Sequence, residues 1–79
     1  MYYDITIDRM SPGERAIILF LSHGGDMRRR MCEIGFSPGS ELECIGRAPF
    51  GDPCAYLVKG AVFAVRHSDA SHVHARLII

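Results

Sequence analysis

Along the chain the pattern of hydrophobic and polar positions changes period several times, and each change marks a predicted element. Ala16 to Leu21 is unbroken apolar sequence rich in β-branched and large side chains. Such a run predicts a strand, beginning near Arg15, with both faces at least partly covered. Gly24-Gly25 ends it. Met27, Arg30, Met31 and Ile34 then fall at i, i+3, i+4 and i+7, the spacing of one helix face. A helix over 27–34 follows, with Asp26 as its N-cap and Arg30 at the edge of the buried stripe. Gly35 stands where a helix C-terminus needs a residue tolerant of positive φ, and Ser37-Pro38-Gly39 supplies turn chemistry. Beyond that turn Glu41, Leu42, Glu43 and Cys44 alternate, which predicts a half-buried strand to about Arg47 with Leu42 and Cys44 on the inner face.

Two prolines and a Gly-Asp pair make 48–53 a connection that cannot carry a regular ladder. Cys54–Lys59 and Ala61–Arg66 flank Gly60 and read as a hairpin, with Cys54, Tyr56 and Val58 facing Phe63 and Val65. Ser68 looks like the cap of a helical turn reaching His72. The apolar run Val73–Ile79 is then a last strand that closes the sheet against the first or pairs weakly with another chain's edge. Upstream, Ile7–Gly13 reads as a helical turn or loop, with Ile7 and Met10 spaced to face the core. Five short strands, one short α-helix and one helical turn, joined by Gly/Pro-rich segments, describe a mainly β chain folded as a small closed barrel. Ile17, Leu19, Leu57, Val62 and Leu77 alternate with the core set and are expected to point outward, as a docking patch would.

A chain of 79 residues is expected to be one domain over 1–79. It buries only roughly 60% of its unfolded surface, so it has one small core and no room for an elaborate cleft. Nine basic and nine acidic residues cancel, removing the global attraction on which binding to nucleic acid or anionic lipid relies. No nucleic-acid partner is therefore expected. The apolar run around Leu19 is far shorter than the roughly 20 residues that span a bilayer, and the N-terminus lacks the basic and apolar regions of a secretory signal. The expectation is a soluble cytoplasmic protein. Cys32, Cys44 and Cys54 form an odd set without a C-x-x-C pair, the pattern of reduced thiols at core-facing or half-buried positions.

Candidate chemistry is sparse. Arg28 and Arg29 can offer planar, multi-donor contacts to an acidic surface, whereas Arg30 is better placed to bond turn carbonyls. His72 and His74, two apart on a strand, point to the same side and are the pair to test for a divalent metal, Fe2+ or Zn2+. No cysteine has a recognisable base beside it, no phosphate-loop motif is present and the one lysine is Lys59. The chain reads as non-enzymatic, with no required cofactor.

The order of motifs resembles the FeoA family of small accessory proteins in bacterial ferrous-iron uptake, over nearly the whole chain. Ile7, Met10 and Gly13 take the family's opening leucine-leucine-glycine spacing. Arg30-Met31, Gly35 and Pro38-Gly39 take its centre, and Gly51-Asp52-Pro53 with Gly60, Phe63, Ala64, Val65, Arg66 and Ala70 take its later elements. Methionine stands where leucine is usual at two places, and His72 and His74 occupy positions usually apolar or variable. The resemblance implies an SH3-like barrel that docks to the GTP-binding or membrane portion of the FeoB transporter and meets the membrane only through that partner. Leu19, Leu57, Arg28 and Arg29 are the expected contact residues. The alternative it implies is a metal-binding or metal-sensing module related to the C-terminal SH3-like domain of DtxR-type repressors, built on His72 and His74.

Overall fold

Alternating burial along the strands sets the architecture. In the computed structural model, which describes residues 3–78, the strands are β1 (Tyr3–Thr6), β2 (Arg15–Leu21), β3 (Glu41–Arg47), β4 (Cys54–Val58), β5 (Ala61–Val65) and β6 (Val73–Ile78). They form one antiparallel sheet in the order β1-β6-β2-β3-β4-β5. Ala16 and Ile18 of β2, Leu42 and Cys44 of β3, Cys54, Tyr56 and Val58 of β4, and Val73, Ala75 and Leu77 of β6 turn inward and are buried. A 3-10 turn (Ile7–Arg9) contributes Ile7 to this core, and helix α1 (Gly25–Glu33) contributes Met31. Phe36 meets both Tyr56 and Phe63 edge-on, with ring centroids 6.2 and 6.0 Å apart, a preferred aromatic geometry.

The end of α1 shows how sequence dictates local form. Gly35 has φ +119°, so its N–H turns back to the Cys32 carbonyl (3.1 Å) and the next N–H, from Phe36, reaches the Met31 carbonyl (2.9 Å). These are the two bonds of a Schellman motif, with its accompanying apolar contact supplied by buried Phe36 and Met31. The chain then turns at Pro38-Gly39 and is stapled to β2. Gly39 N–H donates to the Ile18 carbonyl (2.8 Å) and Ile18 N–H to the Ser40 carbonyl (2.9 Å).

Among the described residues the two outer strands, β1 and β5, do not pair, and polar side chains shut the barrel between them. The buried Tyr56 hydroxyl donates to the Ile7 carbonyl (2.9 Å), and Arg47 Nη2 donates to the carbonyls of Met10 (2.8 Å) and Asp8 (3.2 Å). Asp8, itself buried, accepts from His67 Nε2 at 2.9 Å, while its Oδ1 has no partner among the described residues. His67 opens the short helix α2 (His67–Ala70), whose first N–H is capped by Asp52 Oδ1 at 2.8 Å.

Several expectations are corrected. There are six strands rather than five, because β1 forms only by pairing with the distant β6, a contact that local pattern does not encode. Leu77 shares the inward face of Val73 and Ala75 on β6 and is buried opposite Ala16 instead of facing outward. Leu77 is paired on both sides, with Tyr3 and with Ala16, and Ile78 is paired with Arg15, while Ile79 lies outside the described residues. Gly24, not Asp26, is the N-cap of α1, and Arg66, not Ser68, that of α2. Ile34 ends the helix 41% exposed, off the buried stripe. Ile17 and Val62 do face outward, and the three cysteines are free thiols, two buried and Cys32 half-buried.

Gly35→Val is expected to destabilise the fold by about 2 kcal/mol, lowering Tm by about 10 °C, since a β-branched residue resists positive φ. The cause is conformational rather than steric, because an added Cβ would meet Val58 Cγ1 and Lys59 Cδ at an ordinary 3.5 Å. Thermal melting of the variant checks this, and an unchanged Tm would contradict the helix end described. Replacing His67 by alanine removes the partner of a buried carboxylate and should cost about 1–3 kcal/mol. In that background Asp8→Asn should recover part of the loss, as denaturant titration of the three variants would show.

Candidate functional site

Arg28 and Arg29 project from α1 into solvent, as does Arg30. Arg29 reaches back to Asp26 at 3.3 Å, an exposed pair of the kind that contributes little. The Arg28 and Arg30 side chains make no hydrogen bond or ion pair among the described residues, so the expected bonding of Arg30 to turn carbonyls does not occur. The nine-residue helix buries only Met31 fully, which leaves its three arginines as a local cationic surface on a chain of zero net charge.

Leu19 and Leu57 are both half-buried but border different hollows. β2 pairs with β6 through Ile18↔Ala75 and then Phe20↔His74, leaving Leu19 as the extra residue of a bulge. The bulge turns Phe20 outward, 50% exposed and stacked flat on His74 at 4.2 Å between ring centroids. Leu19, Phe20, His74 and the exposed Arg9 line an open hollow of about 390 Å³. Leu57, opposite Glu43 on β3 and Val62 on β5, lines a smaller one of about 180 Å³ with Lys59. A third hollow, of about 340 Å³, has an apolar wall of Ile45, Pro53, Ala55 and Ala64.

His72 and His74 converge on one group. Ser22 Oγ lies 2.9 Å from His72 Nδ1 and 3.3 Å from His74 Nε2. His72 sits in the turn just before β6 rather than on it. His23, with its ring 5.1 Å from that of His72, is buried and donates Nε2–H to the Asp69 carbonyl at 2.8 Å. Its Nδ1 has no partner among the described residues. His67 is held by Asp8. Among the described residues no group of three or more His, Cys, Asp or Glu side chains is placed to hold a metal ion.

Burial pushes the Cys44 thiol and the Tyr56 hydroxyl above their ordinary pKa values, which keeps Cys44 protonated and a poor nucleophile. Tyr56 instead serves as a hydrogen-bond donor to Ile7. Arg76, paired with Asp4 at 2.9 Å, holds that carboxyl below its ordinary value by hydrogen bonding. No helix among the described residues is long and apolar enough to cross a membrane. Sequence reasoning passed over Phe20, whose exposure follows from a bulge that no local pattern announces. It also passed over Phe50, 98% exposed at the tip of the β3–β4 connection, where the flanking Pro49 and Gly51 were a usable signal.

Known proteins match this arrangement. The FeoA domain family matches residues 5–77. The Fe(2+) transport protein A/Fe(2+) transporter FeoB fusion protein of Porphyromonas gingivalis (strain ATCC BAA-308 / W83) is 28% identical over 72 residues, spanning 91% of this chain and 8% of the fusion protein. The crystal structure of Stenotrophomonas maltophilia FeoA complexed with zinc, described as a procaryotic SH3 domain protein, is 28% identical with a TM-score of 0.78, covering 90% of this chain and 88% of its own. The T. acidophilum IdeR crystal structure, at 18% identity and a TM-score of 0.83 over 95% of this chain and 34% of its own, shares the fold alone. With the family matched from within β1 into β6 and an SH3-like barrel observed, the chain belongs to the FeoA domain family.

Proposed function

We propose that this chain works in bacterial ferrous-iron uptake as a non-enzymatic cytoplasmic module that docks to a FeoB-type transporter and modulates its assembly or GTP-dependent activity. The observation that carries the reading is the Porphyromonas gingivalis relative, in which a matching segment belongs to a FeoB fusion protein. Fusion joins in one chain what separate chains must achieve by affinity, so a domain encoded apart from the transporter would need a surface for the same partner. The surfaces available are the arginine face of α1, with Arg28 and Arg29, and the outer hollows bordered by Leu19 and Leu57. Because net charge is zero, attraction to an acidic partner face has to be local, and it weakens with salt.

Titrating the isotope-labelled chain with the GTP-binding domain and, separately, the membrane portion of its own transporter is expected to shift amides of α1 and of the strands carrying Leu19 and Leu57. Arg28→Glu with Arg29→Glu should weaken that binding about tenfold, two exposed charge contacts being worth about 1.4 kcal/mol together. No shift with either portion would overturn the docking reading.

A second reading, a divalent-metal module built on His72 and His74, draws on their shared approach to Ser22 Oγ and on the zinc complex of the Stenotrophomonas maltophilia relative. It predicts stoichiometric Zn2+ or Fe2+ binding in calorimetry that is lost in a His72→Ala, His74→Ala variant of unchanged Tm. A flat titration of the unaltered protein removes it.

A further inference from the structure

The β5 edge is the least protected part of the sheet. β5 pairs with β4 in unbroken register from Cys54↔Val65 to Val58↔Ala61, and no strand among the described residues lies on its other side. Lys59 and Gly60, with φ 50° and 80°, form the two-residue turn between them, as a type I′ hairpin requires. In such a hairpin Val58 and Ala61 are a hydrogen-bonded pair, so Ala61, Phe63 and Val65 bond to β4 while Val62 and Ala64 turn their N–H and C=O groups to the open edge. Within the strand itself the usual protections are missing, for Ala61–Val65 contains no charge, no proline and no bulge.

The side chains beside this edge are also prepared for a neighbour. Val62, 61% exposed, and Ala64 continue the apolar outer face of Ala55 and Leu57 on β4. On the inner side Phe63 is only half-buried against the core. Cations stand at both ends of the strand. The Lys59 and Arg66 side chains are exposed and form no ion pair or hydrogen bond among the described residues. The nearby carboxylate of Asp52 is engaged by the His67 N–H.

We propose that the free edge of β5 is a strand-addition site for an extended, alternately apolar segment of another protein with an acidic residue at each end. Strand addition takes affinity from backbone hydrogen bonds to Val62 and Ala64 and specificity from the flanking charges. An acid at each end satisfies both cations whichever way the segment runs. A second copy of this chain is disfavoured by the same charges. Antiparallel β5–β5 pairing about Phe63 would set Arg66 of each chain beside the Lys59-Gly60 turn of the other, juxtaposing like charges at both ends. Lys59 and Arg66 thus guard against self-pairing and select the partner at once.

The test is an amide NMR titration of the labelled chain with a synthetic heptapeptide of alternating valine and threonine ended by aspartates, beside the same peptide ended by lysines. Shifts and slowed hydrogen exchange centred on Val62 and Ala64 are expected with the aspartate peptide, and binding about tenfold weaker with the lysine peptide. Ala64→Pro, tolerable where the N–H faces solvent, should abolish binding with the fold retained. Lys59→Glu with Arg66→Glu should invert the preference between the peptides, which keeps the proposal open to refutation if the proline variant does not fold. It is overturned by silence of Val62 and Ala64, by equal binding of both peptides, or by concentration-dependent shifts of these amides without peptide, the mark of a second copy as occupant.

Discussion

A single sheet whose two outer strands do not pair among the described residues has to be closed by something other than a ladder, and here closure falls to the segment from Ile7 to Met10. Backbone carbonyls of that segment accept from Tyr56 and Arg47, which belong to β4 and β3, and Asp8 ties it to α2 through His67. The consequences spread through the core. Tyr56 must be buried for its hydroxyl to reach Ile7, and that burial is what raises its pKa. Arg47 must lay its stem along the barrel end to reach Met10, an amphipathic side chain used for its length as much as its charge. Because polar atoms held in such a place are costly when unpaired, closure by few bonds is sensitive to the loss of any one of them.

Closure of this kind divides the outer surface. Over β1, β6 and β2 many outward side chains are engaged with a neighbour, Asp4 with Arg76, Arg15 with Glu41 of β3, and His74 with Phe20, although Ile17 and Phe20 are themselves apolar and exposed. Over β4 and β5 the outward side chains are Ala55, Leu57, Val62 and Ala64, without a charge among them. The first half is largely paired within itself, while the second ends at a strand with no neighbour on its outer side among the described residues. Recognition by another protein is therefore more easily accommodated on the β5 side and on the arginine face of α1 than on the ion-paired side.

What the sequence made legible was local. The hairpin around Gly60 was readable in its register, because a two-residue turn fixes which side chains oppose one another. The stop at Gly35 and the strand with Leu42 and Cys44 inward were readable because positive φ and alternation leave direct marks in composition. Non-local pairing left no such mark. β1 exists only against β6, some seventy positions away in register. The direction of Leu77 was legible and missed, since Val73, Ala75 and Leu77 alternate with His74 and Arg76. Leu19 and Phe20 were obscured in another way, since a continuous apolar run has no alternation to show where a bulge intervenes. Of the candidate site residues, Arg28 and Arg29 lay exposed as expected. Leu19 and Leu57 were expected to share one patch but border separate hollows.

The commitments of the side chains bear on which function suits the fold. Every imidazole is already engaged, for His23 donates to the Asp69 carbonyl, His67 holds Asp8, and His72 and His74 share Ser22 Oγ. A metal ion entering between His72 and His74 has to displace that serine and disturb the stack on Phe20, and must then find its remaining ligands in solvent or on another molecule. Cys44, buried and with its thiol pKa raised, is no better prepared for chemistry. By contrast the Arg28, Arg30, Lys59 and Arg66 side chains are uncommitted among the described residues, and the backbone edge of β5 is open. Free cations beside unpaired backbone groups gain most from a macromolecular partner, because such a partner supplies acceptors in register and excludes the water that now solvates them.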